Sequence, residues 1–310
     1  MKTTMSPREF HLRTFFSTTD IQLPLFLCVL LMYLLSVLGN LIISLLICLV
    51  SQLHTLMYIF LCCLSIQDIV YVSTVLPKLL AITITGDTII SFSGCFTQIF
   101  LFAFCIDAEF FLLTSMAYDR YVAICIPLRY SLLMNKRVCV ILISTSWFAG
   151  FLNSLMFTLL MFNLTFCNPQ EINHFFCDAP TMLKLSSTDT AIIRTLISIE
   201  GVSLGLLPFI LILTSYMYIL STILKIQSSS GRLKTFSSCS SHLTVVVLFY
   251  GTSLTLYMKP ESGNSQELDK LLSMLYVIVV PMLNPLVYSL RNREVIKAMN
   301  KILGKNIFQR

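Results

Sequence analysis

Residues 116 to 125 read Met-Ala-Tyr-Asp-Arg-Tyr-Val-Ala-Ile-Cys and close a long apolar segment that begins near Phe96. An acid and a permanent cation, Asp119 and Arg120, fall where that segment should leave a hydrocarbon layer. Charges there are costly unless they are paired or reach water. The pair has the makings of a latch. Closed, the carboxylate holds the guanidinium; open, the guanidinium is free to contact a cytosolic partner. Four more acids, Asp68, Asp107, Glu109 and Glu200, lie inside apolar segments. Ionisable groups in such places are functional candidates by default. At about 100° per residue, Glu109 shares a helical face with Phe102 and Ile106, whereas Asp107 lies about 160° away, toward Ala103 and Phe110.

The elements that position these groups follow from composition. The chain has 310 residues, 56% hydrophobic and only 12% charged. Soluble domains carry roughly 25% charged residues, so the deficit points to lipid as the solvent. A spanning helix needs about 20 mostly apolar residues. Seven segments qualify, at 24–50, 57–80, 96–121, 138–162, 191–224, 236–258 and 268–290. The fold class is therefore an all-α, seven-span bundle, expected as one receptor domain over residues 1–310. The first span is too long for a signal-peptide core and no small-residue cleavage site follows it. Most of the 11 cysteines sit in apolar runs, where they are small core hydrophobes. Cys62-Cys63 has no His or further Cys at ligand spacing, so it is not read as a metal site.

Lys and Arg set the direction. The segments after spans 1, 3, 5 and 7 hold 13 of the 21 basic residues, against two acids, Asp119 and Glu294. That places the amino terminus outside and the carboxyl terminus in the cytosol. The net charge of +6 is thus a topology signal, not a nucleic-acid footprint. Residues 292–303 mix Val295, Ile296, Met299, Ile302 and Leu303 with basic residues, the pattern of a short amphipathic helix on the inner membrane face. Asn163-Leu164-Thr165 is the one glycosylation acceptor sequence.

Several strings carry a resemblance. The ten residues around Asp119-Arg120 resemble, nearly letter for letter, the third-helix signature of olfactory receptors, a branch of the rhodopsin-like G-protein-coupled receptors. Gly39-Asn40, Leu53 to Tyr58, Leu64-Ser65 with Asp68, Glu171 to Asp178 and Ser215-Tyr216 fit the same family. So do Lys234 to Thr244, Phe249 to Thr252, and Pro281 to Asn292, which reads Pro-Met-Leu-Asn-Pro-Leu-Val-Tyr-Ser-Leu-Arg-Asn. The span 6 and span 7 strings separate this family from other rhodopsin-like receptors. The chain departs from the pattern at Leu56, where Pro is usual, and at Ser186-Ser187, where a loop cysteine is usual. No Asn precedes Asn40 in the amino-terminal tail.

The resemblance implies a plasma-membrane, multi-pass, non-enzymatic receptor that binds a small volatile odorant and activates a stimulatory, olfactory-type heterotrimeric G protein through cyclic AMP. It implies membrane lipid as a partner, no cofactor and no nucleic acid. It implies a disulfide between Cys95, just before span 3, and Cys177, which leaves Cys167 unpaired. It implies that Asp68 and Glu109 face each other where related receptors bind sodium. Two close carboxylates in a dry interior share a proton or hold a cation; a neutral hydrogen-bonded pair and a bound ion both stay open. Carried over, the odorant pocket has Phe102, Ala103, Ile106, Asp107 and Phe110 on span 3, and Glu200 and Leu204 on span 5. Tyr250, Ser253, Leu254 and Tyr257 lie on span 6, where their spacing puts them on one face. Asp119, Arg120, Tyr121, Tyr216 and Tyr288 would rearrange on activation, with Asn284-Pro285 as a hinge.

Three other functions are weighed against this one. One is a rhodopsin-like receptor for an amine or metabolite that is not an odorant. Another is a family member that no longer signals, which Leu56, Ser187 and the bare tail favour. A transporter or membrane enzyme is disfavoured, because the spans show no inverted hydropathy repeat and no His-Glu-x-x-His or Gly-x-Ser-x-Gly string is read in them. Asp107 and Glu200 raise a sharper expectation. No Lys or Arg stands among the pocket positions, so a ligand amine or other strong hydrogen-bond donor would supply the missing partner. The competing reading has both acids neutral and bonded to backbone or to Ser253.

Overall fold

In a computed structural model, residues 9–13, 19–166, 171–257, 266–290 and 293–302, with Gly304, are described. Seven long helical segments form the bundle: span 1 (Thr19–Leu49), span 2 (Leu56–Thr85), span 3 (Phe92–Cys125), span 4 (Lys136–Phe162), span 5 (Ala191–Lys225), span 6 (Ser229–Tyr257) and span 7 (Gln266–Leu290). Six of them are apolar and long enough to cross a membrane by length and composition alone. Span 6 falls short on composition because its first half is rich in serine, at positions 237, 238, 240 and 241. It nevertheless packs against spans 3, 5 and 7. A final short helix, Arg293–Ile302, follows span 7 and buries Val295 and Ala298, as the amphipathic pattern predicts.

Local sequence explains the helix ends. The Ser91 hydroxyl accepts the Gly94 amide at 3.1 Å and caps span 3. Asn135 does the same for span 4, accepting from Val138 at 3.0 Å. Span 2 stops at Gly86, whose φ of +71° suits a residue without a Cβ. Spans 5 and 7 are not uniform. Each contains a π-helical turn, Gly201–Leu206 and Leu275–Val279. Periodicity at 3.6 residues gave no sign of either turn.

Span 3 is the axis. In its apolar stretch 61% of residues are buried, against 11% in span 5, so span 5 presents most of its surface to lipid. Polar groups tie neighbours together along span 3. Gln67 Nε2 donates to the Cys105 carbonyl at 2.6 Å, and the Ser154 hydroxyl donates to Phe100 at 2.5 Å. Span 4 comes close at Gly150, where a Cβ would meet the Ala108 nitrogen at 3.0 Å and the Phe104 oxygen at 3.1 Å. Asn40 on span 1 donates to the Pro281 carbonyl on span 7 at 3.2 Å.

One end carries a small sheet that an all-α reading does not foresee. Glu9–Leu12 pairs antiparallel with Ile89–Ser91 and parallel with Glu171–Ile172. Phe10 is fully buried and meets Phe92 and Phe166, with ring centroids 6.0 and 5.5 Å apart. Cys95 and Cys177 are bonded, with Cα atoms 5.4 Å apart. Cys95 lies inside the first turn of the span 3 helix, not before it, because Ser91 starts the helix one turn earlier than hydropathy suggests. Cys167 falls outside the described residues.

Candidate functional site

Toward the sheet end, spans 3, 4 and 5 bring Asp107 and Glu200 together. Asn153 on span 4 stands between them. Its Nδ2 donates to Asp107 Oδ2 at 2.8 Å and to Glu200 Oε1 at 2.5 Å. The two carboxyl groups are themselves within hydrogen-bond reach of each other. Such a pair holds together when one proton is shared, because two adjacent carboxylates repel. Ser253, one anticipated partner, does not take part, since its hydroxyl donates to its own span at Phe249, 2.7 Å away. Sequence reasoning missed Asn153. The available signal was a primary amide in an apolar span, as costly to bury alone as an acid is.

The remaining pocket residues divide. Phe110 meets Tyr250 at 5.4 Å, and Tyr250 meets Phe209 at 4.7 Å, forming an aromatic cluster across spans 3, 5 and 6. The Tyr250 hydroxyl is buried and has no hydrogen-bond partner. Ile106 and Ser253 are buried; Ala103 and Leu204 are half-buried. Phe102 points elsewhere. It stacks on Tyr71 of span 2 at 5.2 Å and meets Phe176 of the loop at 4.9 Å, so it belongs to the wall under the loop rather than the span 5 and 6 side. Leu204 sits within the π-turn, which shifts it out of the simple one-turn alignment with Glu200. The side chains of Leu254 and Tyr257 fall outside the described residues.

The loop residues Glu171 to Asp178 descend onto this region. His174 is buried, stacks on Phe175 at 4.7 Å and approaches Ser273 of span 7, with Nε2 3.2 Å from the hydroxyl. Burial, then the nearby Lys270 ammonium, lowers its pKa to about 3. Burial raises that of Asp178 to about 6, against the opposing hydrogen bonds from Thr181. Asn163 closes span 4 and donates to the Leu159 carbonyl at 2.9 Å.

Midway along the bundle, Asp68 and Glu109 are both buried and electrostatic neighbours. Asn284 donates to Asp68 Oδ2 at 3.0 Å. Glu109 Oε1 and Asn284 Oδ1 are buried without hydrogen-bond partners. An all-oxygen set with two unsatisfied acceptors suits a hard cation.

At the opposite end Arg120 is held by Asp119, through Nη2 at 2.5 Å and Nε at 3.1 Å. Tyr130 donates to the other carboxylate oxygen at 2.8 Å. Burial, then the Asp119 carboxylate, pushes the Tyr130 phenol up. The latch is closed. The Tyr216 hydroxyl of span 5 lies 2.7 Å from His242 Nδ1 and 3.2 Å from the Cys239 carbonyl, and His242 Nε2 lies 3.1 Å from the Leu113 carbonyl. His242 was missed as a functional residue although it stands in the Lys234 to Thr244 string. Tyr288 is buried with its hydroxyl unpaired. Tyr121 is half-buried and meets Tyr218 at 5.8 Å. Pro285 packs on Gly39, where a Cβ would meet it at 3.0 Å.

Gly201-Val202-Ser203-Leu204-Gly205 is a Gly-x-Ser-x-Gly string with the spacing of a hydrolase nucleophile elbow, which corrects the reading that the chain has none. That motif needs a strand-to-helix turn. Here it forms the π-turn of span 5, and Ser203 is exposed with its hydroxyl directed to the Glu200 carbonyl at 3.4 Å.

Comparison with known proteins places these features in a set. A family model described as olfactory receptor matches residues 27–306. Olfactory receptor 5AR1 of Mus musculus is 47% identical over 286 residues, which cover 92% of each chain. Olfactory receptor 1G1 of Gorilla gorilla gorilla is 47% identical over 302 residues, covering 97% of this chain and 96% of that one. Olfactory receptor 2T1 of Homo sapiens is 49% identical over 254 residues, covering 82% of this chain and 69% of that one.

Proposed function

The chain belongs to the olfactory receptor family, and from that premise we propose a route by which an odorant at the Asp107 end reaches the Arg120 end. It is an odorant receptor of the plasma membrane, multi-pass, that couples to a heterotrimeric G protein. The whole chain reads as one receptor domain. The sheet end faces outside and the Arg120 end the cytosol, in keeping with the basic residues clustered at 291–310. The G protein is of the stimulatory type and raises cyclic AMP.

The observation that carries the route is the closed Asp119–Arg120 pair on the same helix as Asp107. Thirteen residues separate Asp107 from Arg120, or about 20 Å of helix. A ligand shifts this equilibrium only by binding the open arrangement better than the closed one. The odorant lies among Phe110, Tyr250, Ser253, Ile106 and the Asp107–Asn153–Glu200 cluster. Its polar group replaces a bond that Asn153 makes to the acids, and its apolar body packs on the aromatics. Loss of the Asn153 bridge loosens spans 3, 4 and 5 from one another. The Tyr216–His242–Leu113 contact then gives way and Arg120 leaves Asp119.

Asp68, Glu109 and Asn284 would hold a sodium ion, which neutralises the two acids and favours the closed bundle. Without it, one proton shared between the acids does the same. Asn284-Pro285 is the hinge beside this group. The Asp107–Glu200 pair, which has one negative charge when it shares a proton, favours odorants that carry a hydrogen-bond donor.

The test is surface expression in a heterologous cell with a cyclic-AMP readout over a chemically diverse odorant panel. Donor-bearing odorants are expected to raise cyclic AMP. A panel answered only by esters and hydrocarbons would remove the donor assignment, and no response from a surface-expressed receptor would remove the signalling route.

A further inference from the structure

We propose that the groove between spans 3, 4 and 5 at the Arg120 end binds a membrane sterol, whose hydroxyl sits between the phenols of Tyr118 and Tyr218. The groove has a volume of about 440 Å³, within the roughly 300–1,000 Å³ of small-ligand sites. It opens to the lipid-facing side, since Tyr118 and Tyr218 are 39% and 59% exposed. An occupant therefore enters from the bilayer.

The lining selects the chemistry. Four hydroxyls face the groove, and each is already spent on its own helix. Thr114 and Ser115 donate to Phe110 and Phe111 at 2.8 and 2.9 Å. Thr214 and Ser215 donate to Ile210 and Leu211 at 2.8 and 2.9 Å. What these residues offer an occupant is methyl and methylene surface on a shallow shelf, extended by Leu142 and Leu211. The Tyr118 and Tyr218 hydroxyls differ. Neither meets a hydrogen-bond partner among the described residues, and both side chains are exposed enough to meet an occupant's hydroxyl. No Lys, Arg, Asp or Glu lines the groove, and the guanidinium of Arg120, two residues on from Tyr118, is held by Asp119. A phospholipid phosphate or a fatty-acid carboxylate would find no counter-charge. One neutral hydroxyl on a flat, rigid apolar body matches both the phenols and the shelf.

Depth agrees. Tyr118 lies two residues before Arg120, about 3 Å along the axis, at the level where tyrosines sit at a membrane–water boundary. A sterol places its hydroxyl at that same level and its rings inward. Tyr121 and Tyr218, 5.8 Å apart edge to face, close the inner end. A bound sterol thus braces spans 3 and 5 beside the latch.

The test uses the full-length receptor in phosphatidylcholine nanodiscs with and without cholesterol, labelled by a photoactivatable cholesterol analogue. Labelling is expected on the peptides around Tyr118 and around Leu211 to Tyr218, with a higher melting temperature when cholesterol is present. Leu211→Trp fills the groove and should abolish both effects. Tyr118→Phe with Tyr218→Phe keeps the rings and should lower labelling about five- to tenfold, the loss expected from one or two hydrogen bonds. The epimer of cholesterol with its hydroxyl on the other face should label as weakly as the double variant. Labelling spread evenly over the lipid-facing surfaces, or a melting shift that persists in both variants, would mean a bulk bilayer effect and overturn the site.

Discussion

The Tyr216 hydroxyl lies 2.7 Å from His242 Nδ1, and the opposite side of the ring settles where its proton sits. Nε2 faces the Leu113 carbonyl at 3.1 Å. A carbonyl only accepts, so Nε2 donates and Nδ1 accepts from Tyr216. One imidazole therefore clamps spans 3, 5 and 6, and span 6 cannot swing outward with both bonds intact. Replacing His242 by Phe should raise ligand-independent cyclic AMP severalfold per surface receptor. It should also cost about 1–3 kcal/mol of stability through the polar groups left unpaired. Basal signalling at the wild-type level in a well-expressed variant would show that the clamp does not restrain the resting state.

Arg120→Ala should reach the surface and lose the odorant response. The guanidinium is half-buried and paired with Asp119, and the apolar side chains that pack span 3 are untouched by its removal. Asp119→Asn should act the other way and raise basal activity, because the latch then has no anion. Surface staining with cyclic-AMP measurement separates the two effects. An Arg120→Ala receptor that signals at full amplitude would remove Arg120 from coupling.

These two sites also show what sequence can carry. Asp119 and Arg120 are adjacent in the chain, so their pairing is local and readable from ten residues. Tyr216 and His242 are 26 residues apart, and nothing in either helix's periodicity says that their faces meet. The same holds for Asn153, which hydropathy treats as one blemish in an apolar run and the fold makes the bridge between two acids. The π-turns at Gly201–Leu206 and Leu275–Val279 add one residue to a turn, which no 3.6-residue pattern encodes. The tail strand at Glu9–Leu12 was invisible for another reason. Its partners, Ile89–Ser91 and Glu171–Ile172, lie about 80 and 160 residues away, and short strands owe their form to such pairing rather than to propensity.

Loss of the Cys95–Cys177 bond should trap the protein in the endoplasmic reticulum. The bond closes a loop across 82 residues and buries both cysteines beside Phe10, Phe96 and Ile172. Removing such a bond costs about 2–5 kcal/mol. Cys95→Ser and Cys177→Ser should each abolish surface staining, whereas Cys167→Ser should be much milder. Equal damage from Cys167→Ser would point to a different pairing.

Asn153→Leu should be more damaging to ligand response than Asp107→Asn. The leucine leaves two acids without the amide that joins them, whereas an Asp107 amide can still bond Glu200 and Asn153. For donor-bearing odorants, Asp107→Asn and Glu200→Gln should each raise the half-maximal concentration about tenfold, the size of one hydrogen bond to a charged group. Matched analogues without the donor should shift little. Equal shifts for both odorant classes would mean the cluster supports the helices and does not touch the ligand.

Acid stability of the sheet end should hinge on two opposed groups. His174 has its pKa lowered from 6.5 to about 3, so between those values the unfolded chain binds the extra proton and stability falls as pH falls. Asp178 has its pKa raised from 3.8 to about 6. There the folded chain holds the proton and stability rises as pH falls from about 6 to 3.8. Across that shared window the two slopes cancel. His174→Gln should remove the first and leave the receptor gaining melting temperature, relative to wild type, as pH drops from 6 to 4. Asp178→Asn should remove the second and make the acid loss steeper than wild type. Lys270 lies beside His174 and Lys184 beside Asp178, and each favours the deprotonated form of its neighbour. Melting curves of the purified receptor at pH 7, 6, 5 and 4 decide it. Parallel curves for wild type and both variants would show that neither group titrates differently on folding.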